Sequence, residues 1–436
     1  MKRLIASILL VLGFAAASTA QVTPLPNTLG EQKTLAILVN FSAGDEGYTT
    51  TDVSNVMAVA SDYFYSNSFN QTWLNTLVTG WFTLPANLAF NCQRTEIANQ
   101  AIAAAANIGI DVNQYTRYVV FHTFAQCGFD SFSEIGTFPS HSWISPAPIA
   151  FTNGSLNRVV PHELGHAFGL QHAGGTRCVA LPFGPDCGFL ATGDRFDIMG
   201  DTLADLATPN RTRLGWLTSA EIADVTASGS YPLVPHNSFN SGPHALRVTR
   251  ENGTTFYIEY RVGLGVFVRV SPGDASVQYL VDATPEDFTY SLSHLAVGKT
   301  IYDQQFSHIV GITTVSQDSA GASVAIDLNA VIPPPPAPAL TVVASLDKVT
   351  YRKGNTAKLR VTVTKDNIPI VNAAVAWTIT KPNGTVVVKP APKTNAAGFS
   401  ELKFKVDAVG TWSFKATVTS CCLSAVSETL TVPVTP

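Results

Sequence analysis

Residues 162–172 read His162-Glu163-Leu164-Gly165-His166-Ala167-Phe168-Gly169-Leu170-Gln171-His172, and the spacing of these side chains decides what must surround them. On an α-helix, residues four apart lie one above the other, so His162 and His166 project from one face and can close on a single ion. Val160, Leu164 and Phe168 repeat at the same interval on the opposite face, which lets the helix bury one stripe while the histidines look into a cleft. Gly169, three residues beyond His166, can adopt a positive φ, end the helix and turn the chain back to deliver His172 as a third ligand. Three neutral imidazoles leave the fourth tetrahedral position of Zn²⁺ open, the arrangement of a catalytic rather than a structural site. Glu163 points to the side of the ligand pair, in reach of a water instead of the ion, and is the candidate general base.

Downstream lies Phe196-Asp197-Ile198-Met199-Gly200, and apart from the initiator the chain has only one other methionine, Met57. The extended histidine motif followed by a Met-turn resembles the metzincin zinc endopeptidases. That resemblance implies a floor of Met199 beneath the histidines, with no chemistry of its own, and a twisted sheet carrying the active-site helix. Within the clan the chain is similar to the gametolysin family and its bacterial relatives, over residues 34–330. The match rests on Pro161-His162-Glu163-Leu164-Gly165-His166, on Arg211-Thr212-Arg213-Leu214-Gly215-Trp216-Leu217 and on Phe256-Tyr257-Ile258-Glu259-Tyr260-Arg261. Gametolysins carry a propeptide with an inhibitory cysteine, whereas the first cysteine here is Cys92, inside the expected catalytic domain, a departure that leaves a cysteine-switch zymogen open. The expected activity is hydrolysis of extracellular proteins or peptides, with zinc on His162, His166 and His172, Glu163 as base, and Gly169 and Met199 in structural roles. The alternative is a secreted adhesion or binding protein on a catalytically silent metzincin scaffold. Asp194, Asp197 and Asp201 read as solvated loop carboxylates in preference to groups that orient the ligands.

Lys2 and Arg3 precede an apolar run over 4–17 and small residues at 18–20, a signal peptide (1–20) cut before Gln21, followed by a short leader over 21–33. The run is too short to span a bilayer, and no later stretch supplies the roughly 20 apolar residues of a transmembrane helix. The mature protein is expected to be secreted and extracellular, with no integral membrane segment. The full chain of 436 residues is 46% hydrophobic and 13% charged with a net charge of −4, which describes ordered domains and does not favour nucleic acid as a partner. Six cysteines in an exported chain point to disulfides. The expected pairs are Cys178 with Cys187, just after the third histidine, and Cys92 with Cys127; the adjacent Cys421 and Cys422 stay open.

Around the motif the pattern alternates. Residues 34–41 read as a β-strand, 52–65 as a helix with Val53, Val56, Met57 and Phe64 inward, 72–83 as extended, 95–107 as a helix and 118–122 as a buried strand. Residues 136–151, with three prolines, suit an edge strand or loop beside the cleft, where an extended peptide can add as a further strand. The expected architecture is an α/β metzincin-like catalytic domain over 34–225, with a twisted sheet and the active-site helix. A β-sandwich over 226–330 and a proline-rich linker over 331–340 follow. Residues 341–436 resemble an immunoglobulin-like β-sandwich, with Trp377, Phe404 and Trp412 in its core and a hairpin turn at Asn383-Gly384. Its expected role is that of a spacer or adhesion domain that places the enzyme near its target, with attachment to a surface as one form of this.

Overall fold

The apolar run expected over 34–41 is an inner strand of a five-stranded sheet. There β1 (Gly30–Asn40) lies between β2 (Thr72–Thr83) and β3 (Arg117–His122), parallel to both. Next to β3 comes β5 (Ser140–Ile144), also parallel, and β4 (Ser131–Ser133) closes that side antiparallel to β5. Helices cover both faces, which is why β1 is apolar at consecutive positions instead of alternating. Leu35, Ile37 and Val39 pack with Ile97, Ala98 and Ala101 of α3 (Arg94–Asn107), reached through the short α2 (Ala86–Phe90). Ala36 and Leu38 face Val53, Met57 and Phe64 of α1 (Thr50–Asn67) and Val160 and Leu164 of α4 (Leu156–Ala167). Helix α1 starts earlier than expected because Thr49 and Asp52 form a capping box, each side chain accepting from the other's backbone N–H.

The computed structural model describes residues 22–436 apart from 45, 91–92, 124–130, 179–180, 185–186, 286–292, 333–339, 366 and 421–422. The expected signal peptide, the Cys92–Cys127 pair, Cys421, Cys422 and the prolines of the linker lie outside the described residues. The chain is a multidomain, mixed α/β protein with several sheets and mostly strands, in two compact units, Met1–Val331 and Ile332–Pro436. Among the described residues no helix is long and apolar enough to cross a membrane.

Two segments differ from expectation. Residues 140–144 are an inner strand, and the edge belongs to β4. The prolines at 139, 146 and 148 flank β5 rather than interrupt it, so no ladder N–H is lost and Trp143 and Ile144 are buried. Residues 22–33, read as a leader, are packed: Leu25 N–H donates to Arg213 O (2.8 Å), Thr28 Oγ1 to Leu214 O (2.7 Å), and Arg117 Nη2 to Asn27 O (2.7 Å).

After α4 the chain enters a seven-stranded sheet. It contains β6 (Ala173–Arg177), β7 (Gly188–Leu190) and β8 (Ile222–Asp224) with β10 (Ala245–Thr249), β11 (Thr255–Arg261), β12 (Gly265–Ser271) and β13 (Gln278–Leu280). A four-stranded sheet of β9 (Gly229–Leu233), β14 (Thr300–Asp303), β15 (Val310–Gln317) and β16 (Ala322–Asp327) shares one apolar core with it, built from Leu246, Ile258, Val266, Ile312 and Val324 among others. The larger sheet thus crosses residue 225: β6 runs parallel to β13, Ala173 opposite Gln278. The short α5 (Thr208–Arg213) lies between them in sequence.

The C-terminal unit also has two sheets. One holds β17 (Thr341–Leu346), β19 (Thr356–Lys365), β20 (Ile368–Pro369) and β23 (Phe399–Lys405). The other holds β18 (Tyr351–Arg352), β21 (Ala374–Thr380), β22 (Val386–Ala391), β24 (Gly410–Ser420), β25 (Leu423–Val426) and β26 (Leu430–Thr435). Trp377 and Trp412 are fully buried between them, Phe404 packs against that core, and Asn383-Gly384 turns β21 into β22 with Gly384 at φ +82°.

Candidate metal centre

Helix α4 ends at Ala167, and Gly169 follows at φ +106°. The Gly169 N–H donates to His166 O (2.8 Å) and the Leu170 N–H to Gly165 O (3.0 Å), the paired bonds of a left-handed helix stop. This turn has a second use. Leu170 O, now directed back at the helix, accepts from His166 Nδ1 at 2.8 Å. His162 Nδ1 donates in the same way to Ile198 O at 2.7 Å. With Nδ1–H committed to carbonyls, each neutral ring presents an unprotonated Nε2, the form that binds metal.

The structure brings the three expected histidines together. One ring nitrogen from each of His162, His166 and His172 lies within 4.8 Å of the others, forming a group that could hold a metal ion. Ring centroids are 4.9, 4.8 and 5.3 Å apart. His162 and His166 are buried and His172 is exposed, so the group opens to solvent on one side. Burial pushes all three imidazoles below the usual histidine range, His162 to about 4, and their mutual proximity adds to the effect at His162 and His166. They are neutral at neutral pH, as ligation requires.

Glu163 shares the cleft, a cavity of about 250 Å³ that Ser131, Arg158, His172 and Gly200 also line. Its side chain is buried, and Oε1 accepts a 2.6 Å hydrogen bond from Ser131 Oγ on β4. Burial pushes this carboxyl up, while the Ser131 hydroxyl and the Arg158 guanidinium pull it back. Nothing in the spacing of residues 162–172 points to Ser131, because the contact depends on an edge strand more than thirty residues away.

Met199 sits under α4 with no exposed surface. A Cβ on Gly165 would lie 2.4 Å from Met199 Sδ, so glycine inside this helix is what lets the thioether approach. The turn that carries Met199 is held by Asp197: Oδ1 accepts from Met199 N–H (2.7 Å), and Oδ2 from Ala207 N–H (2.8 Å), Asn210 Nδ2 (3.0 Å) and Gln278 Nε2 (2.7 Å). Asp194 and Asp197 are therefore fully buried, not solvated loop carboxylates as expected; only Asp201 is exposed. Burial and the neighbouring Asp194 push the Asp197 carboxyl up, against those N–H donors and Arg269.

The Arg211–Leu217 and Phe256–Arg261 segments acquire a physical role here. Arg269 pairs with Asp194 (2.6 Å) and Glu259 (2.8 Å), all three fully buried, and Glu259 also holds Arg261 (2.7 Å) and the Thr208 N–H (2.7 Å). Arg211 donates to Asn67 Oδ1 (2.9 Å) on α1 and to His236 O (2.6 Å). These groups join the Met199 turn to the strands behind it. Cys178 and Cys187 form the expected disulfide, closing the loop between β6 and β7 directly after His172.

No protein-family model matches the chain, and no curated protein does. Among solved structures the chain is similar to a DUF4785 family protein from Legionella pneumophila, at 11% identity over 29% of this chain and 36% of that one, with a TM-score of 0.20. It is also similar to dimeric latent PorU from Porphyromonas gingivalis, at 11% identity over 42% and 24%, with a TM-score of 0.19. A tandem repeat from the extending region of a large adhesion protein matches at 14% identity over 41% and 45%, with a TM-score of 0.18. The chain spans about a third of the first of these, and likenesses at such scores carry no argument about what it does.

Proposed function

We propose that the chain is a secreted zinc-dependent endopeptidase of metzincin type, in which residues 34–225 form the catalytic domain, 226–330 a β-sandwich and 341–436 an immunoglobulin-like module. The observation that carries this reading is the convergence of His162, His166 and His172, two of them anchored through Nδ1, beside the buried carboxylate of Glu163. Three nitrogen donors with one open side suit Zn²⁺ among the common ions. When bound, the ion supplies Lewis acidity for the scissile carbonyl and lowers the pKa of a water toward about 7. Glu163 accepts the proton of the attacking water and returns it to the leaving amine. Ser131 holds Glu163 Oε1 and leaves Oε2 for that exchange. The substrate is an extended peptide, added along β4, whose Ser131 already touches the base.

The test measures zinc content and casein cleavage on the mature chain. The wild type is expected to bind one zinc and to lose cleavage on chelation. Glu163→Gln keeps the metal and loses activity by a factor of about a hundred or more, while His166→Ala loses both. Full turnover by the glutamine variant would remove Glu163 as base. Stoichiometric zinc without cleavage of any protein would leave a binding protein on a silent scaffold.

A further inference from the structure

The overall charge of −4 hides a segregation. Residues 332–436 carry twelve Lys and Arg against five Asp and Glu, whereas 1–331 carry fifteen against twenty-six. Ten of the thirteen lysines fall in the C-terminal unit. Such asymmetry between parts of a chain points to an oppositely charged partner for the basic part.

The lysines are not spread evenly. On the outward face of the four-stranded sheet, Lys358 of β19 stands directly opposite Lys403 of β23, and Lys405 follows two residues on, opposite Thr356. Like charges in register across a ladder destabilise a sheet. The acids nearby do not relieve this pair: Glu401 is taken by Arg360 (3.0 Å), and Asp347 Oδ1 accepts from the Lys358 backbone N–H and the Tyr351 hydroxyl, both at 2.7 Å. Among the described residues none of Lys358, Lys403 and Lys405 enters an ion pair. The repulsion is weakened by solvent and salt, and an anion bound across the lysines would neutralise it directly.

We propose that this face of the C-terminal unit binds a linear anionic polysaccharide, carboxylated or sulfated, and so holds the protein on an extracellular matrix. Charge complementarity selects a polyanion. The ladder roots these lysines about 5 Å apart across strands and about 7 Å apart along them, and their flexible stems let the ammonium groups follow anionic groups on successive sugar rings. The Arg360–Glu401 pair stands between these cations and the one aromatic of β23 on this face, Phe399 opposite Thr362, so the lysines are not interleaved with rings as in a surface that stacks single-stranded nucleic acid. The proposal does not depend on zinc or on Glu163, so its failure leaves the peptidase reading untouched.

The experiment uses the mature full chain on immobilised heparin across a sodium chloride gradient. The face variant K358E/K403E/K405E is compared with K389E/K393E/K415E, which changes net charge equally through β22, β24 and the loop before β23. Thermal unfolding checks that both variants fold. The face variant is expected to lose affinity about tenfold or more at about 150 mM salt, and the slope of log affinity against log salt should fall by about three. The control variant should stay within about threefold. Equal loss in both variants, or no retention of the wild type, overturns the proposal. Tighter binding of duplex or single-stranded DNA, or of phosphatidylglycerol vesicles, through the same three lysines overturns the polysaccharide in favour of that partner.

Discussion

At Glu163 a single hydroxyl decides how the carboxylate is presented. The 2.6 Å bond from Ser131 holds one oxygen of the carboxylate proposed as base, and hydrogen bonds to charged groups contribute about 1.5–3 kcal/mol. Ser131→Ala is expected to lower kcat roughly tenfold with little change in KM, and Ser131→Thr, which keeps the hydroxyl, to restore most of it; steady-state kinetics on a quenched peptide decide. The histidines set a second expectation, in the chelated protein. His162 and the buried His236 are both pushed by burial from 6.5 to about 4. Between those values the unfolded chain binds more protons than the folded one, so stability falls as pH drops through that window. Each contributes about 2 kcal/mol of loss by pH 5. Urea midpoints in EDTA should therefore be lower at pH 5 than at pH 7; a midpoint that rises on acidification contradicts the burial of these rings.

At the scale of the element, α4 shows what sequence could and could not tell. The helix, its glycine stop and the meeting of His162, His166 and His172 follow from local periodicity and were legible, as were β1, α1, α3 and β3, where apolar spacing matches burial. Strand β6 was not: Ala173-Gly174-Gly175-Thr176-Arg177 has no apolar alternation and is a strand because β13 and β7 lie on either side of it. Asp194 and Asp197 were misread for a related reason, since their partners Arg269 and Gln278 come from strands distant in sequence. Gly165 gives the element its own test. Alanine would raise helix propensity by about 1 kcal/mol, but its Cβ would fall 2.4 Å from a Met199 thioether that is fully buried. Overpacking of this kind costs about 1–3 kcal/mol, so the clash wins. Gly165→Ala should lower Tm by a few degrees and weaken zinc binding, and Met199→Ala in the same chain should recover part of the stability. Unchanged Tm in the single variant would show that Met199 does not sit under the helix.

For the whole molecule, the feature with the widest consequence is that β6, which begins one residue after His172, is hydrogen-bonded into the sheet containing β13. Two imidazoles ride on a helix of the first sheet, and the third is carried by the second. A chain shortened at residue 225 keeps the whole motif yet loses the strand that steers its last member, and it also strips Asp194 of Arg269, a buried pairing whose rupture costs about 3–5 kcal/mol. Such a shortened chain is expected to bind zinc at least about a hundredfold more weakly than the full chain, read by competition with a chromogenic chelator. The ion, once captured, would then act as a rivet through both halves. Its escape rate would report the looser of the two, and proteolytic nicking of the rear sheet would silence the front without touching a residue that meets substrate.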